Sequence, residues 1–328
     1  MEQTGRGSWQ ILEDRPLGGP TRVIAVTNQK GGVGKTTTTL NLGAALAVQG
    51  RRVLVVDVDP QGNASTGLGL ERGGSAPTTY DLVLGEASLE EVAVTTDVER
   101  LDCAPASVDL AGGEIELAPA LAREHRLREA LQGHAGAYDV VLIDCPPSMG
   151  LLTVNAMVAA EDLLVPVQCE YYALEGLGQL LSSADRVRRS LNPGLRIAGI
   201  LLTMHDARTN LSTDVEAEVR KHFGRVVCET VIPRSIRLSE APSFGAPAVT
   251  LHPSSRGARA YVALAREIGA RRLGSEQAAI GAAGPREPHL SGPTALPGPG
   301  ARGYGVATGI PPRLDDAWPP LEPWTETA

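Results

Sequence analysis

Residues 30–37 read Lys-Gly-Gly-Val-Gly-Lys-Thr-Thr, and this stretch decides the fold because of what lies on either side of it. The preceding residues 22–27, Arg-Val-Ile-Ala-Val-Thr, are apolar and β-branched, which predicts a buried strand. Residues 37–48 place leucine and alanine at helical spacing. A glycine-rich turn between a strand and a helix presents backbone N–H groups and a helix N-terminus to an anion. The stretch therefore predicts a phosphate-binding loop.

The residue types in this loop suit phosphate chemistry. Gly31, Gly32 and Gly34 permit positive φ and close backbone approach, where a Cβ would obstruct the phosphate. Lys35 is expected to reach the β- and γ-phosphates, and the Thr36 hydroxyl to ligate Mg²⁺. A purely structural glycine turn is the alternative, which the strand, the lysines and the helix together disfavour. The predicted nucleotide contacts are Gly31, Gly32, Val33, Gly34, Lys35, Thr36 and Thr37.

The loop departs from the ordinary pattern G-x-x-x-x-G-K-[ST] in two ways. Its first position is Gln29, and a second lysine, Lys30, lies inside it. Of the 30 basic residues in the chain, only Lys30, Lys35 and Lys221 are lysine. An ammonium acts as a compact point charge on phosphate and is not interchangeable with a planar guanidinium. Two lysines in one loop of an arginine-rich chain therefore support the phosphate-binding interpretation.

Two further apolar runs end in aspartate. Asp57 and Asp59 follow Val-Leu-Val-Val, and Asp144 follows Val-Val-Leu-Ile. Because ligands of open α/β sheets bind beyond the carboxyl ends of the strands, we expect these carboxylates near the phosphates. Asp57 and Asp144 are predicted to join Thr36 around the metal, and either Asp57 or Asp59 to orient the attacking water. The alternative is that Asp57 and Asp59 only end a strand and form a turn with Pro60.

The order of the elements predicts the architecture. Strands alternate with helices over residues 21–272, which predicts one α/β domain with a doubly wound, mostly parallel sheet and helices on both faces. Residues 1–20 are expected to be a flexible extension. Residues 273–328 contain 9 Gly and 10 Pro in 56 residues and are expected to be a disordered tail. Less distinctive stretches predict helices over 80–84, 89–94 and 117–131, a strand over 101–104 and a loop over 231–243.

Charge is unevenly distributed along the chain, whose formal net charge is −8. Residues 21–184 carry 10 basic and 21 acidic side chains, whereas residues 185–272 carry 15 basic and 8 acidic ones. A basic final third on an acidic protein predicts an anion-binding face.

Hydropathy and cysteine spacing indicate the compartment. No apolar run of 18 residues is free of charge, and no basic segment followed by an apolar one begins the chain, so we expect a soluble, cytoplasmic protein without membrane attachment. The four cysteines form no C-x-x-C pair and are expected to be buried free thiols in a reducing compartment: Cys103, Cys145, Cys169 and Cys228.

Five motifs occur in a characteristic order over residues 22–272: KGGVGKTTT, VVDVDPQGN, VVLIDCPPS, TMHDARTNLS and IPRSIRLSEAPS. Together they resemble chromosomal partition ATPases of the ParA/Soj type, within the ParA/MinD group that has a deviant Walker A motif. The resemblance implies a P-loop NTPase fold, ATP hydrolysis and Mg²⁺. It also implies an ATP-bound homodimer in which Lys30 crosses to the partner's nucleotide and Gly31 lies in the contact. The implied catalytic residues are Lys30, Lys35 and Asp59.

The same resemblance implies partners. Arg208 in DARTN and Arg237 in SIRLSEAPS match the arginines that bind double-stranded DNA nonspecifically in this family. A ParB-type centromere-binding protein is expected to stimulate hydrolysis, and the protein to associate with the nucleoid. Pro233 lies in one of two loops, 203–206 and 232–237, that are expected to contact the adenine.

Two other functions fit the same loop. One is a MinD-like membrane-positioning ATPase, which needs a C-terminal amphipathic anchor; here 56 Pro/Gly-rich residues follow the last predicted helix. The other is an iron–sulfur reductase of the same superfamily, which needs a matched pair of cluster cysteines at a dimer axis. The DNA-segregation ATPase is the favoured interpretation.

Overall fold

The computed structural model describes residues 21–71, 75–132, 136–170 and 173–270. All of these residues belong to the first of two units into which the chain divides, Met1–Ala278, and the second unit is Ala279–Ala328. The expectations for residues 1–20 and 273–328 therefore lie outside the described residues.

Within these ranges seven strands form one sheet: β1 (Arg22–Val26), β2 (Val53–Asp57), β3 (Val94–Thr95), β4 (Leu101–Ala104), β5 (Val140–Asp144), β6 (Asp162–Gln168) and β7 (Arg196–Thr203). Their order across the sheet is β3-β4-β2-β5-β1-β6-β7. All neighbouring pairs are parallel except β3 with β4. The predicted doubly wound, mostly parallel sheet is confirmed.

Helices connect the strands. In the described part of the chain they are α1 (Lys35–Val48), α2 (Asn63–Gly67), α3 (Thr79–Leu84), α4 (Leu89–Val92), α5 (Leu110–Leu117), α6 (Arg126–Gln132), α7 (Leu151–Ala159), α8 (Ala173–Ser190), α9 (Asn210–Phe223), α10 (Ile236–Glu240), α11 (Ala248–Leu251) and α12 (Arg256–Ala270). Short 3₁₀ turns lie at Arg123–His125, Gly224–Val226 and Ala241–Phe244.

The sheet separates two apolar cores, because successive side chains of a strand point to opposite faces. In β1, Ala25 packs with α7 and α8 on one face, whereas Ile24 and Val26 pack with α1 and α12 on the other. The strands of such a sheet are buried on both faces, which explains why β1, β2 and β5 are nearly continuous apolar runs. Helices cover both faces, as predicted.

A buried ion pair ties α12 to the centre of the sheet. Arg22 of β1 donates from Nε to Asp162 Oδ2 at 2.8 Å and from Nη1 to the Ile268 carbonyl at 2.7 Å. Both charged side chains are almost fully buried. The last turn of α12 is therefore bound to β1, the strand that leads into the phosphate loop.

Three predictions of secondary structure were wrong, in the bounds of two helices and in a loop that contains a helix. The helix expected over 117–131 is interrupted between α5 and α6, where Pro119 provides no N–H for a helical hydrogen bond and Ala122 has a φ of 51°. The stretch expected to be a loop over 231–243 contains α10, which places Arg237 on a short helix. The helix expected over 89–94 ends at Val92, and β3 begins at Val94.

Candidate nucleotide-binding site

Strand register brings the two strands that end in aspartate and the loop to one edge of the sheet. Asp144 at the end of β5 is aligned with Val26 at the end of β1 on one side and with Asp57 at the end of β2 on the other. The loop 27–34 then leads from β1 into α1. Motifs more than 100 residues apart in the sequence are therefore neighbours because parallel strands end at the same edge.

The loop backbone is held from the neighbouring strands. Asn28 donates from Nδ2 to the Pro166 carbonyl of β6 at 2.7 Å and accepts the Lys30 N–H at 3.0 Å. Thr203 of β7 donates to the Val33 carbonyl at 2.8 Å. Gly32 and Gly34 have φ values of 75° and 90°, which only glycine adopts readily. Gly31 does not have a positive φ, and a Cβ there would meet nothing within 4 Å. The conformational requirement predicted for the loop therefore applies to Gly32 and Gly34 but not to Gly31.

Lys35 is buried under the loop. Its Nζ donates to the Lys30 carbonyl at 3.2 Å, and only 7% of the residue is exposed. Burial lowers the pKa of Lys35, and the nearby carboxylates of Asp144 and Asp59 partly offset this effect. A buried ammonium beneath a glycine loop is a site that an anion would stabilise.

Two threonines of α1 bind Asp144. Thr36 donates to Asp144 Oδ2 at 2.7 Å, and Thr39 donates to Asp144 Oδ1 at 2.9 Å. Asp144 is fully buried, and this burial, together with the neighbouring Asp57, raises its pKa. The interaction of Thr36 with Asp144 follows from the motif. Thr39 was not predicted, although its position one helical turn beyond Thr36 is the signal that places it on the same face.

Asp57 and Asp59 differ in their surroundings. Asp57 is fully buried and accepts from the Ser65 N–H at 2.9 Å, the Ser65 hydroxyl at 2.8 Å and the Asp59 N–H at 3.2 Å. Burial raises the pKa of Asp57 in spite of these bonds. Among the described residues, the Asp59 carboxylate accepts one bond, from the Gln61 N–H at 2.9 Å. The Asp57 carboxylate is thus bound to the first turn of α2. The sequence contained no signal that pointed to Ser65.

Lys30 points away from the buried part of the loop. Its Nζ lies 2.9 Å from Glu170 Oε2, and the two side chains are 42% and 45% exposed. Gln168 donates to the other oxygen of Glu170 through a short contact. The sequence contained no signal for Glu170, because its contact with Lys30 arises from the adjacency of β6 and β1.

The two loops expected to contact the base are joined to each other. His205 N–H donates to the Ile232 carbonyl at 3.0 Å, and Arg234 N–H donates to the His205 carbonyl at 2.9 Å. Pro233 forms a bridge with His205. Between Thr203 and His205, Met204 has a φ of 52°, a region that costs a side chain about 1–2 kcal/mol. Such a conformation persists where the surrounding structure imposes it, often at a functional site.

The predicted DNA-binding arginines lie next to these loops, Arg208 two residues after the first and Arg237 in α10 at the end of the second. Arg208 donates from Nε and Nη2 to the two carboxylate oxygens of Asp206 at 2.8 and 2.7 Å, while its side chain is 87% exposed. These bonds hold the pKa of Asp206 well below its usual range. Arg237 of α10 lies 3.3 Å from Glu240 Oε2 and is 60% exposed. Both arginines therefore have an intramolecular carboxylate partner and a solvent-exposed guanidinium.

The remaining expectations concern cysteines and membranes. The four cysteines are free and buried, as predicted. Burial raises the pKa of Cys103 and Cys145, which keeps these thiols protonated. In the described part of the chain, no helix combines the length and the apolar character that crossing a bilayer requires.

The site defines the class of protein. A strand, a glycine loop and a helix together bury a lysine, and a threonine of the helix is bonded to an aspartate at the end of a neighbouring strand. This arrangement is that of a P-loop nucleotide-binding protein.

A family model described as an AAA domain matches residues 21–197. The sporulation initiation inhibitor protein Soj of Bacillus subtilis is 55% identical over 249 residues, which are 76% of this chain and 98% of that protein. The chromosome partitioning protein ParA of Caulobacter vibrioides is 55% identical over 251 residues, 76% of this chain and 94% of that one. The chain belongs to the ParA/Soj family of chromosome-partitioning ATPases.

Solved structures agree with this fold. A Mycobacterium smegmatis protein described as cobyrinic acid a,c-diamide synthase, with bound ADP and magnesium, is 41% identical with a TM-score of 0.67, and the match covers 75% of this chain and 93% of that one. The septum site-determining protein MinD of Pyrococcus horikoshii, complexed with Mg-ADP, is 32% identical with a TM-score of 0.61, covering 76% and 96%.

Proposed function

We propose that this chain is an ATP-driven DNA-segregation ATPase. In this proposal an ATP-bound homodimer binds chromosomal DNA nonspecifically, and hydrolysis stimulated by a ParB-type protein releases it, which drives the partitioning of a chromosome or plasmid. The observation that carries the proposal is the buried Lys35 beside Thr36 and Asp144, at the edge of the sheet where the loop begins. The relatives described above support the partitioning role.

The nucleotide and metal fit the donors at this edge. The loop N–H groups of residues 31–37 and the Lys35 ammonium would bind the phosphates. A bound phosphate would stabilise the charged form of Lys35, which burial disfavours. The Thr36 hydroxyl would ligate Mg²⁺, and Asp144 would orient that hydroxyl and metal-bound water; Asp57 lies beside it in register. When bound, the metal neutralises charge that develops on the phosphate oxygens. Pro233 would contact the base from the joined loops.

Hydrolysis requires a residue that positions water, and Asp59 is the better candidate. Among the described residues, its carboxylate accepts one backbone bond, whereas that of Asp57 accepts three hydrogen bonds; Asp59 is 6% exposed and Asp57 is fully buried. Lys30 would act on the partner's nucleotide across the dimer, which requires it to leave Glu170. Gly31 is exposed and has open space around it, so a close contact with a second protomer is a reason for glycine there.

DNA binding would use the exposed guanidinium groups of Arg208 and Arg237. Both are held by carboxylates at the surface, which orients them without burying them. Arginine forms forked hydrogen bonds with phosphate oxygens. Because dimerisation doubles the number of such contacts, the ATP-bound dimer would bind DNA far more tightly than the monomer.

The test is retention of the full chain on random-sequence duplex DNA with ATP, ADP or no nucleotide, at two salt concentrations. We expect retention only with ATP, and weaker retention at higher salt, since each phosphate contact contributes about 0.9 to the slope of log affinity against log salt. Asp59→Ala should keep ATP and the dimer but lose turnover, and Arg237→Glu should lose DNA while still dimerising. Nucleotide-independent or absent retention would contradict the proposal, and ATP-dependent sedimentation with liposomes would then favour a MinD-like role.

A further inference from the structure

The outer face of α12 carries a row of arginines that the sequence motifs do not include. Arg256, Arg259 and Arg266 are all exposed. The opposite face of the helix is buried against α1 and contributes Tyr261, Leu264 and Ile268 to the core. At 100° per residue, Arg259 and Arg266 lie about 20° apart around the helix axis, and the row is about 15 Å long.

These three guanidinium groups form no hydrogen bond or ion pair with any described residue, unlike those of Arg208 and Arg237. The acidic neighbour Glu267 is engaged elsewhere, since its carboxylate accepts the N–H groups of Glu229 and Thr230 at 2.7 and 2.9 Å. Three exposed cations on one helix face without a counter-charge leave an anion-binding surface.

The row continues the surface that carries Arg237. Leu238 of α10 packs directly on Gly257, where an added Cβ would lie 2.6 Å from Leu238 Cγ. Since Arg237 precedes Leu238 and Arg256 precedes Gly257, this close packing brings the two arginine-bearing segments together. The contact depends on glycine at position 257.

A cavity of about 410 Å³ lies between the first turn of α12 and the loop 203–206, which precedes Arg208. Its walls are His205, Val231 and Pro233 on one side and Arg256, Arg259 and Ala260 on the other. His205 begins the segment that leads to Arg208. The cavity is therefore bordered by both joined loops and by the first turn of α12.

We propose that Arg256, Arg259 and Arg266 bind the phosphate backbone of duplex DNA and extend the surface formed by Arg208 and Arg237. This inference rests on the proposed function. A row about 15 Å long matches about four phosphates of one strand, which are spaced 3.4 Å along the axis. A single free phosphate would need only one such group.

The composition of the same face argues against a membrane as the occupant. Its remaining exposed positions are Ala263, Gly269 and Ala270, so no large apolar side chain is present to enter a bilayer. It also carries no aromatic side chain on which bases could stack, so binding would be independent of sequence.

The test compares two double variants of the full chain with equal charge removed. Arg259→Gln/Arg266→Gln alters the row. Arg188→Gln/Arg189→Gln alters one partly exposed and one exposed arginine of α8, on the other face of the sheet. Affinity for a random duplex is measured with ATP and Mg²⁺ across a salt series, by fluorescence anisotropy. We expect the first variant to bind at least tenfold more weakly at low salt, with a slope shallower by about 1.8 per protomer, and the second to match the wild type.

Each outcome is decisive. The inference would be overturned if the salt dependence of DNA affinity were unchanged in the α12 variant, or if the α8 variant lost as much DNA affinity as the α12 variant. ATP affinity and ATP-dependent dimerisation are measured in parallel, and their loss in the α12 variant would assign the row to the fold or the dimer instead. Loss of binding to phosphatidylserine vesicles with DNA binding retained would assign it to a membrane. If the wild type does not bind DNA at all, the proposed function fails. That result differs from failure of the arginine-row inference, in which the wild type binds DNA and the α12 variant shows the same salt dependence.

Discussion

The acidic edge of the sheet and the arginine-bearing surface differ in how their functional side chains are held. Asp57 and Asp144 are buried, lie at strand ends and accept several hydrogen bonds from neighbouring elements. Arg208 and Arg237 are exposed, and each is held by one carboxylate close to it in the sequence. Chemistry on the nucleotide therefore relies on positions imposed by the backbone, whereas the arginines can exchange a carboxylate for a phosphate.

The largest effect is expected inside the buried edge. Lys35→Ala removes a cation aimed at phosphate, and a charged hydrogen bond of this kind is worth about 1.5–3 kcal/mol, so ATP affinity should fall on the order of 100-fold. The measurement is isothermal titration with ATP and Mg²⁺. Lys221→Ala, an exposed lysine of α9, is the matched control and should bind ATP normally. Normal ATP affinity in the Lys35 variant would refute the assignment of the loop.

The buried carboxyls should also make the unliganded protein sensitive to pH. Burial raises the pKa of Asp57 and Asp144, so the folded state keeps protons that the unfolded state releases. The free energy of unfolding should therefore fall as pH rises from about 4 through the raised pKa values, by up to about 1.4 kcal/mol per pH unit for each carboxyl. Urea unfolding at pH 5 and pH 7.5 measures this.

Asp144→Asn provides the comparison for the pH experiment, because the amide cannot ionise. The variant should show a smaller loss of stability over the same interval. A wild-type protein that loses no more stability than the variant would show that the Asp144 carboxyl does not contribute.

A substitution with a smaller effect should show that DNA binding at the arginine surface and ATP binding at the acidic edge can be changed independently. Gly257→Ala places a methyl group against Leu238, and overpacking of this kind costs about 1–3 kcal/mol. Because the clash displaces α10, DNA affinity should fall while ATP affinity is retained. The control is Gly178→Ala in α8, where a Cβ meets nothing within 4 Å and helix propensity favours alanine by about 1 kcal/mol. An equal loss of ATP affinity in Gly257→Ala would mean that the two regions are not separable.

The smallest effect is expected at the border between the regions. Glu170→Gln removes the carboxylate beside Lys30, and a half-exposed pair of this kind contributes about 0–1 kcal/mol. Stability in urea should change by less than about 1 kcal/mol. A larger loss would show that Lys30 is as firmly held as the residues of the buried edge.

The sequence predicted the acidic edge well because strand ends and glycine turns determine it locally. Asp144, Thr36 and Lys35 could each be placed from an apolar run or a loop. Their partners Ser65 and Glu170 could not, since serine and glutamate occur throughout the chain and only the packing of α2 and β6 brings them to the site. The interruption by Pro119 was visible in the sequence, but the charge pattern around it resembled one continuous helix.

The arginine surface was less predictable, for a related reason. Composition indicated a basic final third, but burial and packing decide which arginines are paired and which share a face. The packing of Leu238 on Gly257, which joins α10 to α12, involves two residues without any charge signal.

The scarcity of lysine makes this protein unusually suitable for selective labelling. With only Lys30, Lys35 and Lys221 in 328 residues, lysine isotope labelling yields three side-chain signals, two of them from the phosphate loop. The three amines also differ in accessibility, at 73% for the Lys221 side chain, 42% for that of Lys30 and 7% for Lys35 as a whole. An amine-directed reagent should thus modify Lys221 first and Lys35 last, so the two loop lysines can be followed separately in one molecule.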